Sequence, residues 1–142
     1  MITIESPELS KVIVKNAKKV DILRVISMRI VPKRTQSGEV LEGTKLALEN
    51  HKIAKWIIEV AALTDAQIIQ ISALIKNVVI ANFKEESFSS VFVKSSTGFY
   101  KTENNLPNGA TIHTITMMLE NSSPLPVKAA GGVRTYEEAV AM

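Results

Sequence analysis

Two lysines are placed where an amine could act as a nucleophile. Lys94 ends the apolar run Val91-Phe92-Val93 and is followed at once by Ser95-Ser96-Thr97-Gly98, which is turn chemistry. A lysine at the C-terminal end of a buried strand is partly desolvated, so its ammonium form is disfavoured and a neutral amine becomes accessible. Lys128 repeats that logic in Val127-Lys128-Ala129-Ala130-Gly131-Gly132: a lysine deep in a strand, then glycines whose backbone amides can approach an anion such as a phosphate. On neighbouring parallel strands each ammonium lowers the pKa of the other, and the natural reaction is Schiff-base formation with an aldehyde or ketone. The plainer reading is a pair of lysines that snorkel into water beside glycines that only serve turns.

The elements that would position these lysines alternate along the chain. Ser6-Pro7-Glu8 is a helix start, with a cap, a proline at the first helical position and an acidic first turn, and the helix ends near Asn16-Ala17. Val20 to Ile26 is rich in β-formers yet contains Asp21 and Arg24, which need a reason to be there if both faces of the strand are covered. Pro32 to Gly38 reads as a loop, Glu39 to His51 as a helix, and Ala54 to Val60 as an apolar strand with charges set into it. Thr64-Asp65 caps a long helix through Ile68, Ile71, Ile75 and Val79. Beyond the Lys94 strand come a polar loop from Lys101 to Asn108, a helix from Ala110 to Glu120, and a short strand from Leu125 to Ala129.

The strand centres at Val20, Trp56, Val91 and Val127 are 36, 35 and 36 residues apart. Ankyrin and tetratricopeptide arrays have similar periods but need helix pairs, whereas each unit here offers one strand and one helix. Strand, helix, strand at this spacing predicts right-handed crossovers and a parallel sheet, with functional groups gathered at the C-terminal strand ends.

Composition narrows the chemistry. A chain of 142 residues, 46% hydrophobic, supports one domain with a core, and the absence of cysteine removes disulfides and thiolate catalysis. The net charge of +3 is concentrated in the N-terminal third, but without aromatic-interleaved basic motifs or finger spacing it reads as solvated surface, so no nucleic-acid partner is expected. His51 and His113 lie far apart without metal-ligand spacing, so no metal is expected. No export signal and no membrane-length apolar run are present, which predicts a cytoplasmic protein.

The segments Phe92 to Phe99 and Val127 to Thr135 resemble the two signature segments of the deoxyribose-phosphate aldolases, class I aldolases of the TIM-barrel type. Asn16 to Ile22 is similar to that family's strand-four segment. Trp56-Ile57-Ile58-Glu59 followed by Leu63-Thr64-Asp65 is similar to strand five, and Gly109-Ala110-Thr111 to the start of the helix after the Schiff-base strand. The resemblance implies that Lys94 forms an imine with the substrate carbonyl, that Lys128 tunes it, and that Asp21 is the acidic partner in proton transfer. Lys55 matches a further active-site lysine of the barrel interior, and Gly98, Gly131 and Gly132 match positions whose backbone serves the substrate phosphate. Glu59 reads as structural. Ser95 stands where threonine is usual, and Leu23 to Arg34 departs from the family pattern at Arg24, Met28 and Arg29.

The fold so implied is α/β, a partial (half) TIM barrel of about four parallel strands alternating with helices, forming a single incomplete domain over residues 1–142. It corresponds to roughly strands four to seven of a barrel that, when complete, has eight strand–helix units and about 250 residues. The implied reaction is reversible cleavage of 2-deoxy-D-ribose 5-phosphate to D-glyceraldehyde 3-phosphate and acetaldehyde, without a cofactor. Expected partners are a phosphorylated sugar or small aldehyde and a second copy of the chain that closes the barrel. The alternative is a truncated, inactive remnant or partner-binding fragment.

Overall fold

The computed structural model of the chain describes residues 2–4, 25–30 and 37–142. Five strands, β1 (Ile2–Ile4), β2 (Val25–Arg29), β3 (Ile53–Ile57), β4 (Val91–Lys94) and β5 (Val127–Lys128), form one sheet in chain order, and every neighbouring pair is parallel. Helix α1 (Ser37–Glu49) lies between β2 and β3, α2 (Asp65–Asn82) between β3 and β4, and α3 (Ile112–Ser122) between β4 and β5; the short α4 (Tyr136–Ala141) follows. A parallel sheet whose strands succeed one another with a helix between them is the construction of a (β/α) barrel, so the α/β half-barrel expectation holds. Among the described residues no helix is long and apolar enough to cross a membrane.

Local chemistry sets the boundaries. Thr64 caps α2 with a full capping box: its hydroxyl accepts from the Gln67 amide at 3.3 Å while the Gln67 side chain accepts from the Thr64 amide at 3.0 Å. Thr111 and Thr114 do the same for α3, which therefore starts at Ile112 rather than at the expected Ala110 and runs two residues past Glu120. Helix α1 stops at Glu49, short of the expected His51, because His51 adopts the left-handed conformation at φ 55°. Strand β3 likewise ends at Ile57 and not at Val60: Glu59 is left-handed, and Val60–Ala62 turn into a 3₁₀ helix.

Two expectations change near the N-terminus. Ile2–Ile4 is a fifth strand, and three residues are too few for a period-two pattern to reveal it. Strand β2 shares only Val25 and Ile26 with the expected Val20 to Ile26 and continues through Met28 and Arg29, inside the segment that departs from the family pattern. The expected helix after Ser6 and the rest of that strand, Asp21 included, lie outside the described residues.

Alternation along the strands divides the sheet into two unlike faces. Ala54, Trp56, Val91 and Val93 face the helices and belong to the apolar core with Ile68, Ile71 and Ile75 of α2 and Ile115 and Met118 of α3. The indole N–H of Trp56 donates to Thr44 Oγ1 of α1 at 3.0 Å. At Gly43 an added Cβ would stand 2.7 Å from Met28 Sδ and 2.8 Å from the Trp56 ring, so the α1 backbone lies against the sheet. Lys55 and Ile57 point to the other face. The register sets Lys94 beside Ile57, and Lys128 beside Lys94.

Candidate active site

The lysine face is assembled by register. Lys94 is the last residue of β4, held there by Val91 and Val93, which are fully buried on the opposite face. The ladder then runs past the strand ends: Ile58 donates to the Lys94 carbonyl at 3.0 Å, Val60 to Ser95 at 2.8 Å, and Ser95 to Lys128 at 3.1 Å. Both lysine carbonyls are thereby fixed, and the side chains of Lys94 and Lys128 leave adjacent strands on one side of the sheet.

Burial and mutual charge act on this group. Lys94 is only 3% exposed, and burial first, then the neighbouring charge of Lys128, lowers its pKa, while the Glu59 carboxylate pulls the other way. Lys55, 7% exposed, is lowered to about 8 by burial, by the charges of Lys128 and Lys94, and by a hydrogen bond with Lys128. Lysines 55, 94 and 128 thus form one electrostatic group on one face of the sheet.

Lys128 departs from the expected lysine deep in a strand. It is exposed, because β5 is two residues long and forms the edge of the sheet among the described strands. Lys55, expected in the barrel interior, is buried in the middle of β3.

The turns after β4 and β5 are tied together. Ser95 Oγ donates to the Ala130 carbonyl at 2.6 Å and accepts from the Ala130 amide at 2.8 Å. The Ala110 amide reaches the carbonyls of Ala130 and Gly131 at 3.0 and 2.9 Å. Gly98, Gly131 and Gly132 all have positive φ, at 84°, 87° and 83°. Gly131 is constrained twice, since a Cβ would also sit 2.8 Å from Ser96. The Gly98 amide donates to Ser96 Oγ at 2.9 Å, so the turn itself engages a group expected to serve a phosphate.

Glu59, expected to be structural, ties the end of β3 to the turn after β4. Its Oε1 accepts from Ser96 Oγ at 3.0 Å, and its two oxygens lie 3.2 and 3.3 Å from the Thr97 amide. The signal that singled out Asp21, a carboxylate inside an apolar stretch, is equally present at Ile57-Ile58-Glu59-Val60.

No family model matches the chain. It is 30% identical over 140 residues to the deoxyribose-phosphate aldolase of Corynebacterium diphtheriae and 32% identical over 142 residues to that of Kocuria rhizophila, covering 98% of this chain in each case. A deoxyribose-phosphate aldolase of Lactococcus lactis is 37% identical over 97 residues, or 68% of this chain and 37% of that protein. The chain belongs to the deoxyribose-phosphate aldolase family. It spans 57% of the length of the first two relatives, so it represents part of a deoxyribose-phosphate aldolase sequence. As aldolases, those relatives place it in a lyase family.

Proposed function

We propose that this chain acts in the cytoplasm as a Schiff-base aldolase on 2-deoxy-D-ribose 5-phosphate, with Lys94 as the nucleophile. The observation that carries the reading is Lys94 itself: a nearly buried amine at a strand end, beside a second lysine, with its pKa lowered by both circumstances. The neutral amine adds to the aldehyde carbon of the open-chain sugar, and loss of water with uptake of one proton from solvent gives a protonated imine. Removal of the proton from the C3 hydroxyl lets the C2–C3 bond break, its electron pair moving into the imine to form an enamine. Glyceraldehyde 3-phosphate leaves; protonation of the enamine carbon and hydrolysis of the imine release acetaldehyde and restore the amine. Lys128 keeps Lys94 partly neutral, Lys55 contacts the substrate, and Asp21 moves the proton; the turns carrying Gly98, Gly131 and Gly132 receive the phosphate end. The names of the relatives support this substrate.

Borohydride trapping with acetaldehyde or the deoxyribose phosphate, followed by peptide mapping, tests the reading. The expected adduct is on Lys94. A folded sample that forms no adduct at any lysine overturns it and favours the second reading, a catalytically inactive or partner-dependent fragment. That second reading is supported by the exposure of Lys128 at the sheet edge. A second copy closing the barrel over that edge is part of the proposal, and sedimentation as a well-folded monomer would count against it.

A further inference from the structure

Glu59 is 3% exposed and carries the only ionisable carboxylate among the buried polar and charged groups of the described residues. Its backbone is left-handed, at φ 55° and ψ 63°, a conformation that glycine or asparagine would adopt more cheaply. The strain of a charged residue at such a position is set against the contacts its side chain makes. That side chain reaches from the end of β3 to the turn after β4 and accepts from the Ser96 hydroxyl and the Thr97 amide, the second and third residues beyond Lys94. Ser96 in turn lies 2.9 Å from the Asn108 carbonyl and accepts from the Gly98 amide, so the carboxylate anchors a network spanning the whole turn.

We propose that Glu59 is a positioning residue of the aldolase site: its buried carboxylate fixes the Ser95–Thr97 turn that directly follows Lys94, and sets a negative charge against the lysine face. Lys128 of β5 and Glu59 act on the charge of Lys94, and Lys94 in turn acts on Lys55 of β3. Burial and Lys128 favour the neutral amine and Glu59 opposes them, which leaves Lys94 able to take up a proton again when the imine is hydrolysed. The catalytic sense of the proposal rests on the imine reading above, but its geometry and its charge are measurable without turnover.

Two substitutions separate the two roles. Glu59→Gln keeps an oxygen for the Thr97 amide and removes the charge. The protonation midpoint of Lys94, followed by pH-dependent acetylation with mass-spectrometric readout, is expected to move to lower pH, with protection of the Thr97 amide retained. Glu59→Asp keeps the charge on a shorter arm. Hydrogen exchange at Thr97 is expected to quicken by about tenfold, the scale of one lost charge-assisted hydrogen bond, with the midpoint nearer that of the parent protein. A midpoint unmoved in Glu59→Gln overturns the electrostatic role, and unchanged Thr97 exchange in Glu59→Asp overturns the positioning role. If Glu59→Gln fails to fold, the acetylation profiles of Glu59→Asp and Ser96→Ala decide: a small downward shift in the first, where the charge is withdrawn, and none in the second supports the electrostatic role, and no shift in either overturns it. Failure of the imine reading looks different: no borohydride adduct on Lys94 in the parent protein, with the midpoint and exchange changes still present.

Discussion

Lys94 and Lys128 begin from nearly the same sequence context and end in different surroundings. Each closes a short apolar strand and precedes a turn containing a glycine of positive φ, and the register places them side by side. Lys94 is 3% exposed because β4 has a strand on either side, whereas Lys128 is exposed because β5 is an edge of two residues. The difference teaches that desolvation here comes from position in the sheet. Under the proposed Schiff-base reading the buried member is the nucleophile, and the exposed one acts on it through charge.

The largest effect that could break this comparison is loss of the amine itself. Lys94→Met should reduce borohydride trapping by about a thousandfold or more, as removal of a covalent nucleophile does. An undiminished yield of adduct would move the chemistry to Lys55 or Lys128. Lys128→Met should lower trapping at neutral pH by less, and for a different reason. Without the neighbouring ammonium the pKa of Lys94 rises, so the pH profile of trapping should shift to higher pH and converge with the parent protein in alkali. A uniform loss at every pH would instead make Lys128 a direct participant.

The two turns offer a parallel contrast in stability. Gly131→Ala meets both the left-handed backbone and the Ser96 side chain and should cost about 3 kcal/mol; Gly98→Ala meets only the backbone and should cost about 1 kcal/mol by urea denaturation. Equal costs would show that the close approach of the two turns at Gly131 contributes nothing.

The smallest expected effect concerns Lys55. Its folded-state pKa of about 8 lies below the ordinary lysine value of 10.5, so at neutral pH the fold carries the cost of a desolvated ammonium. That cost is fully present below pH 8 and disappears as the pH rises towards 10.5, because in that window the unfolded chain binds the proton and the folded chain does not. Thermal melts of Lys55→Met should therefore show a Tm a few degrees above the parent at pH 7, with the gain shrinking by pH 10. A gain independent of pH would assign it to packing.

Much of this was legible from residue patterns. The caps at Thr64 and Thr111, the apolar stripe of α2 and the strands around Trp56, Val91 and Val127 follow from local chemistry that acts within a few residues, and the regular spacing of strands announced a parallel sheet. Three features were not. Ile2–Ile4 is too short to show a period. The burial of Lys55 is set by its neighbours in β2 and β4, which the residues around it in sequence do not name. Glu59 looked structural because its partners, Ser96 and Thr97, are 37 and 38 residues away in sequence.

The amino-acid order alone determined which residues could do chemistry, since an amine, a carboxylate and turn-forming glycines are properties of residue type and local spacing. It determined as well the family, carried by the two lysine segments. Tertiary structure decided which lysine is dry and which is wet, that Lys55 joins the other two, and that Glu59 reaches the turn beyond Lys94. Burial and Coulomb interaction depend on which strand lies beside which, and those neighbours are brought together only by the sheet.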